Sequence, residues 1–411
     1  MNKKVCVIGL GYVGLPTAAI LAMNLYDVIG VDLKDNVVSK ANKGESHFSE
    51  PHLQSYLKKA VTSKKFKAFT TTQAADIYII CVPTPLIDHS NLIKEPNLDF
   101  VNAAALSIIP FIKKNDIIIL ESTSPVGTTA NLEKLFRERN INTDDIHFAY
   151  CPERVLPGNA IEEIIHNDRI VGGLNPLSTK LICNFYKTFV KGNVVETEAK
   201  VAEMCKLAEN SFRDVNIAFA NELSMLCKQD NINVVKVIEY ANRHPRVNIL
   251  QPSVGVGGHC IAIDPWFLVA KNPNTAKLIK SAREVNLKKT QWVIDEIIST
   301  AIKGPGSINK IACLGLTYKE NIDDLRESPA LSVVNELKKM GYSITSVDPN
   351  ISKLDGLVLD DLENAIEHCD LIVMLVAHSE FLNINKHPKI SNKIFLNFTG
   401  KALQAMTIGS S

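Results

Sequence analysis

Short β-branched runs alternate with helical periodicity along the first third of the chain. Residues 5–8 and 28–31 are apolar runs that end at turn residues, and 15–24 between them reads as a helix. Residues 77–82, 117–120 and 147–150 read as further strands. This alternation predicts a parallel, doubly wound sheet covered by helices. From about Glu198 to Ala241 the period changes. Val201, Met204, Cys205, Ala208, Phe212, Val215, Ile217, Ala218 and Leu223 recur at helical spacing without a proline. The pattern predicts one helix of unusual length, of the kind that often carries a dimer interface. Residues 278–302 are helical again, and Lys303-Gly304-Pro305-Gly306-Ser307 reads as a linker.

Beyond the linker the opening pattern returns in weaker form. Residues 311–316 echo 5–10, 344–348 echo 28–32, and 370–376 echo 76–82. The expected fold is therefore α/β, with two Rossmann-like doubly wound domains joined by a long central helical segment. The expected boundaries are 1–197, 198–302 and 303–411. The second copy lacks Gly-x-Gly-x-x-Gly and is expected to bind something other than a dinucleotide pyrophosphate.

With 411 residues, two or three domains are expected. A formal net charge of +1 gives no reason to expect nucleic acid or an acidic membrane surface. No apolar run approaches the roughly 20 residues of a spanning helix, and the opening reads as strand and turn, not as a signal peptide. Nine cysteines, without CxxC pairs or His/Cys clusters, point to no metal and to a reducing, cytoplasmic setting. Cys6, Cys81, Cys313 and Cys369 lie in or beside apolar strands and read as small hydrophobes.

Gly9, Gly11 and Gly14 follow a strand and open a helix, with Tyr12 and Val13 between them. The first glycine permits the tight turn, the second lets backbone N–H groups approach a pyrophosphate, and the third lets helix and strand pack closely. Asp32 ends the second strand, where a carboxylate accepts both ribose hydroxyls and repels a 2′-phosphate. NAD is the expected cofactor. Thr84 and Thr123 fall at the C-terminal ends of later strands, the edge where ligands bind in such sheets.

Candidate chemistry lies further on. Cys260 directly follows Gly257-Gly258-His259, and Asp264 stands four residues beyond it. The glycines would let a substrate approach the thiol, and the carboxylate could take a proton in transit. A dinucleotide site and a nucleophilic cysteine in one chain suggest oxidation through a thiohemiacetal, past the aldehyde to the acid. Lys206 and Asn210 share a helix face at i, i+4. Taken alone, Lys206 is an ordinary snorkelling lysine, Asp264 a turn residue before Pro265, and Glu153 a salt-bridge partner of Arg154.

Together these segments resemble the UDP-glucose/GDP-mannose dehydrogenase family from Gly9 to about Thr399. The resemblance rests on Gly-Leu-Gly-Tyr-Val-Gly at 9–14, Ser-Thr-Ser-Pro-Val-Gly-Thr-Thr at 122–129 and Pro-Glu-Arg at 152–154. Lys206-x-x-x-Asn210, Asn221-Glu222, Gly-Gly-His-Cys at 257–260 and Asp-Asp-Leu-Arg-Glu-Ser at 323–328 complete it. It implies an NAD-dependent four-electron oxidation at C6 of a UDP-sugar. Cys260 would capture the aldehyde, while Lys206 and Asn210 would hold the C6 oxygen. Asp264, supported by Thr123, would hold a water that takes the first proton, and Glu153 would activate water against the thioester.

The resemblance also implies that the C-terminal domain holds the nucleotide diphosphate, with Lys319 and Arg326 as the matching cations and Arg326 reaching the NAD side. Arg154, Gly257 and His259 would line the substrate site. Arg246 resembles an arginine that a partner subunit lends, which makes a homodimer or higher homo-oligomer, with Arg246 shared across the interface, the expected assembly. Ile263 before Asp264, with Pro265-Trp266-Phe267 after it, resembles the branch that oxidises UDP-N-acetylmannosamine for surface polysaccharides. UDP-N-acetylglucosamine, UDP-N-acetylgalactosamine and UDP-glucose remain competing substrates. A two-electron hydroxyacid-type dehydrogenase and a non-catalytic binder are the alternatives of other classes. Ser253 departs from the family's usual glycine and would stiffen its loop.

Overall fold

The computed structural model describes residues 3–87, 93–156, 158–304, 306 and 308–401. The chain divides into two compact units, Met1–Glu209 with Trp266–Lys271, and Asn210–Pro265 with Asn272–Ser411.

The first unit is built on an eight-stranded sheet in the order β10-β9-β8-β7-β4-β1-β2-β3. Its strands are β1 (Lys4–Ile8), β2 (Asp27–Val31), β3 (Phe66–Phe69), β4 (Ile77–Ile80), β7 (Ile117–Leu120), β8 (His147–Tyr150), β9 (Arg169–Gly173) and β10 (Val194–Glu198); β5 (Leu86–Ile87) and β6 (Glu95–Pro96) form a separate ribbon. Helices α1 (Gly14–Met23), α2 (Asp35–Asn42), α3 (Leu53–Thr62), α4 (Asp99–Ile108), α5 (Thr128–Arg137), α6 (Ala160–His166) and α7 (Pro176–Tyr186) connect them. Within the eight-stranded sheet every pairing is parallel except β8 with β9. The order β3-β2-β1-β4-β7-β8 is the doubly wound one, and it reverses between β1 and β4. Both faces are apolar. Val5, Val7, Ile77 and Ile79 point into one core cluster, while Cys6, Ile8, Tyr78 and Ile80 point into the other. A strand buried on both faces reads as a continuous apolar run, which is why β1, β4 and β7 were legible. β3, β9 and β10 carry exposed or charged positions and do not stand out in the sequence.

The central segment departs from the sequence expectation. Instead of one helix over 198–241, α8 (Ala199–Gln229) ends and α9 (Val234–Ala241) begins anew. Asn231 takes φ 56°, a left-handed conformation that asparagine tolerates. Asn233 then caps α9, its side-chain oxygen accepting from the Val235 and Lys236 N–H groups. The apolar period continues through the break, so periodicity alone could not find it.

The second unit holds α10 (Asp264–Lys271) only through its first residues, then α11 (Lys277–Lys303) and a four-stranded parallel sheet, β12-β11-β13-β14. Its strands are β11 (Lys310–Leu314), β12 (Ser343–Val347), β13 (Leu371–Met374) and β14 (Ile394–Asn397), with α12 (Pro329–Lys339) and α13 (Leu362–His368) between them. This is the smaller second doubly wound sheet the repeat predicts. Of the expected linker, Gly304 directly follows α11, while Pro305 and Ser307 lie outside the described residues.

Candidate active site

At the end of β1 the chain turns through Gly9 at φ 96°, whose N–H donates to Val31 O at 2.8 Å. A Cβ on Gly14 would lie 1.8 Å from Gly9 O, so α1 can start this close to the strand only with glycine there. Nothing lies within 4 Å of the place a Gly11 Cβ would take, and the turn's backbone is open to a ligand. No side chain caps α1 and no acid occupies its first turn, which leaves its N–H groups and positive dipole end available to an anion. Asp32 accepts Leu10 N–H on Oδ2 at 3.1 Å and Lys34 N–H on Oδ1 at 3.0 Å, and each oxygen keeps a lone pair for a ribose hydroxyl. Tyr12 is exposed and its ring packs on Phe48, with centroids 4.3 Å apart. Thr84 and Thr123 are half-buried beyond the ends of β4 and β7. These residues fit a dinucleotide, with the pyrophosphate at 9–14 and the adenosine ribose at Asp32.

The loop after β7 is held by a residue the sequence did not single out. Glu203 on α8, fully buried, accepts from the Gly127 and Thr129 N–H groups at 2.5 and 2.8 Å and from Thr129 Oγ1 at 2.7 Å. One turn further along α8, Lys206 is only 6% exposed, and Nζ donates to Glu153 O at 2.7 Å. It does not snorkel. Glu153 Oε2 stands 3.9 Å from that ammonium, while Oε1 accepts from the Val155 N–H. Arg154 turns elsewhere, bidentate on Glu209 at 2.8 and 3.1 Å, so the simple Glu153–Arg154 pair does not form. Behind this segment Arg169 is buried and donates to Pro152 O at 3.4 Å; Glu121 is buried too, accepting from Tyr186 Oη at 2.5 Å. Burial pushes the Glu121 carboxyl up.

In the second unit Cys260 is exposed, whereas Cys6, Cys151, Cys183, Cys227, Cys313 and Cys369 are buried. Its carbonyl accepts from the Ile263 and Asp264 N–H groups at 3.1 and 2.9 Å, which starts α10 and brings Asp264 one turn from the cysteine. Asp264 is 3% exposed and accepts from Asn210 Nδ2 at 2.5 Å. A buried carboxylate bonded to an amide is more than a turn residue. The glycines before Cys260 also answer a packing requirement that the sequence did not show. A Cβ at Gly257 would meet Glu327 O at 2.4 Å, and one at Gly258, where φ is 77°, would meet the Tyr318 ring at 2.8 Å. Gly258 N–H also donates to Arg326 O at 3.1 Å. The glycine pair is required by close packing on the 318–329 loop, which holds the thiol's loop in place. Asn221 supports the same loop, accepting Ser253 N–H at 2.7 Å and donating to Asn286 at 2.9 Å. Ser253 Oγ donates to Gly255 O at 2.6 Å, the stiffening its hydroxyl suggested.

The expected cations differ in setting. Lys319 is exposed. Arg326 is exposed and forked on Asp324 at 2.6–3.0 Å, which draws the Asp324 carboxyl below its usual range against the opposing effect of burial. Arg246 is exposed in a loop that Asn242 closes, bonding both the N–H and the carbonyl of Ile249 at 2.7 and 3.0 Å. His259 is exposed beside Cys260.

Three family models match in order along the chain. The NAD binding domain of the UDP-glucose/GDP-mannose dehydrogenase family matches residues 3–190, its central domain 200–288, and its UDP binding domain 312–399. The chain belongs to this family. Among its relatives, the UDP-N-acetyl-D-mannosamine dehydrogenase of Campylobacter jejuni is 48% identical over 412 residues, which covers 95% of this chain and 100% of that one. The enzyme of the same name from Escherichia coli K12 is 49% identical over 403 residues, covering 93% and 95%. The solved structure of the UDP-N-acetyl-mannosamine dehydrogenase Cap5O from Staphylococcus aureus matches with a TM-score of 0.86 at 40% identity, over 97% of this chain and 99% of that one. As a nucleotide-sugar dehydrogenase of this family the chain is an NAD-dependent oxidoreductase. No helix among the described residues is long and apolar enough to cross a membrane.

Proposed function

We propose that the chain oxidises the C6 hydroxymethyl group of UDP-N-acetylmannosamine to a carboxylate in two successive two-electron steps. The observation that carries the chemistry is an exposed cysteine one turn ahead of a buried carboxylate–amide pair, Cys260 with Asp264 and Asn210. The identity of 48–49% to dehydrogenases of that sugar supports the substrate.

When bound at 9–14 and Asp32, NAD supplies the hydride acceptor for each oxidation. Asp264 holds a water that takes the C6 hydroxyl proton, with Thr123 as a further support for that water. Lys206 and Asn210, one turn apart on α8, stabilise the alkoxide and then the oxyanion. Cys260 adds to the C6 aldehyde, forming a C–S bond as the carbonyl oxygen takes a proton; oxidation of this thiohemiacetal leaves a thioester. Glu153 removes a proton from water attacking the thioester, and the thiol leaves with a proton as the carboxylate forms. Arg154, Gly257 and His259 line the sugar site. Lys319 meets the diphosphate, and Arg326 is a cofactor ligand.

The working assembly we infer is a homodimer in the cytoplasm with Arg246 lent across the interface. Supporting it, α8 exposes an apolar stripe, Val201, Met204, Phe212, Phe219 and Leu226, with Phe212 71% exposed.

The deciding measurement is NADH formed per sugar consumed with the UDP derivatives of N-acetylmannosamine, N-acetylglucosamine, N-acetylgalactosamine and glucose. Two NADH per N-acetylmannosamine substrate, with the other sugars nearly inert, is the expected result. One NADH per sugar sinks the thioester route, and full turnover of another sugar reassigns the substrate.

A further inference from the structure

The two Rossmann-like copies repeat one hydrogen-bonding device. Gly9 and Gly315 both follow a first strand with φ of 96° and 87°, and each N–H donates at 2.8 Å to the last carbonyl of the second strand, Val31 or Val347. An aspartate follows in both. Asp32 Oδ2 accepts Leu10 N–H at 3.1 Å, and Asp348 Oδ2 accepts Leu316 N–H at 2.7 Å. Each Oδ1 then accepts the N–H two residues on, Lys34 at 3.0 Å or Asn350 at 2.9 Å.

What faces the carboxylate differs. Asp32 is half-exposed and turned to solvent. The Asp348 side chain is wholly buried, and its Oδ2 lies 3.2 Å from Nε2 of His378, which is also wholly buried. Nδ1 of the same ring lies 3.0 Å from the Asn321 N–H and 3.0 Å from Asn350 Nδ2. Both of those are donors, so Nδ1 accepts and the ring proton sits on Nε2, facing Asp348. Thr317 Oγ1, 3.3 Å from Nε2, donates to Lys319 O at 2.7 Å. Asn321 Oδ1 in turn accepts from Ser379 N and Oγ at 2.9 and 3.1 Å. The imidazole is thus bonded to both ends of the 317–321 turn, which carries Tyr318 and Lys319.

We infer that His378 is a positioning residue for the nucleotide-diphosphate end of the substrate: it takes the acceptor that ribose hydroxyls would use on Asp348 and clamps the Thr317–Asn321 turn that presents Lys319. With the missing Gly-x-Gly-x-x-Gly, the same ring separates the second copy from a dinucleotide site, because Asp348 Oδ2 is not open to a ribose hydroxyl as Asp32 is. The inference rests on the reading of Lys319 as a diphosphate ligand.

The test is UDP binding to the full-length enzyme by calorimetry, with KM and kcat measured in parallel. His378→Asn keeps an acceptor close to the Nδ1 position, and His378→Gln keeps a polar end close to Nε2 but leaves the Asn321 N–H unmet. We expect UDP affinity within about threefold of wild type for H378N and at least about tenfold weaker for H378Q, with KM for NAD and kcat within about twofold in both. Equal UDP affinity in wild type and folded H378Q, or equal losses in the two variants, overturns the clamp. Thr317→Val asks the same question without touching the ring, should H378Q not fold. About a fivefold weakening of UDP supports the clamp, and unchanged affinity overturns it. UDP that does not bind wild type at all, or binds K319A as tightly, overturns the Lys319 reading instead, and this inference with it.

Discussion

Cys260 shows how a residue's chemistry comes from its neighbours. It is exposed, its carbonyl starts the turn into α10, and its loop is held because Gly257 and Gly258 pack on the 318–329 loop. Cys260→Ser should lower NADH formation from the alcohol substrate by about a thousandfold or more, measured under saturating NAD, since a serine hydroxyl is a far weaker nucleophile than a thiol near neutral pH. A folded C260S retaining most of the activity would return the site to hydroxyacid-type chemistry. Glu153→Gln should form the thioester and fail to release it, so intact-protein mass should rise by the acyl group during turnover. Absence of that adduct in a slow variant removes Glu153 from hydrolysis. The candidate reactive residues stood out in the sequence because few side chains can serve such roles. Their supports were not. Glu203, His378 and Asn286 are polar residues in unremarkable sequence, and only folding aims them at Gly127, Asn321 and Asp214.

At the scale of elements, α8 carries two faces with different duties. One buries Glu203, Lys206, Asn210, Asp214 and Asn221, and another exposes Phe212 and Phe219. Asp214 is wholly buried, with Arg283 at 2.6 Å and Asn286 at 2.8 Å. Burial lifts its carboxyl pKa, and the bonds from Arg283 and Asn286 oppose that. Asn221→Ala would strand the Ser253 N–H and Asn286 Oδ1, for a loss of about 2 kcal/mol. A thermal melt should show it as a lowered Tm; an unchanged Tm would mean the loop at 253–260 is held by something else. Replacing Phe212 and Phe219 together by Asp should leave a folded monomer by sedimentation, because two charges would be buried in the proposed interface. A dimer that persists places the interface elsewhere.

Over the whole molecule, charge is nearly balanced, so pH sensitivity comes from single buried groups. Lys289 is the clearest. It is 2% exposed, its Nζ lies 2.8 Å from Ser224 Oγ and 3.7 Å from the centre of the Trp292 ring, and burial lowers its pKa to about 7 against a weaker opposing pull from Glu296. A folded-state pKa below the ordinary 10.5 means that between about 7 and 10.5 the unfolded chain holds a proton the folded chain has shed. Stability through this group therefore rises with pH across that window and is constant below it. The Tm of wild type should gain on that of Lys289→Met as pH rises from 7 to 9.5. A wild-type Tm that does not rise relative to that of the variant would show that Lys289 remains charged in the fold.

By itself the sequence determined the inner apolar strands and the cofactor turn, and it singled out the candidate reactive side chains. Strands buried on both faces must be apolar throughout, a dinucleotide turn needs glycine where a Cβ would strike backbone, and a covalent step needs a thiol. Tertiary structure alone decided what the glycines before Cys260 pack against and which partners hold Lys206, Asp264 and Asp348. Those outcomes depend on residues tens of positions apart, and a contact between such residues leaves no periodicity for the sequence to display.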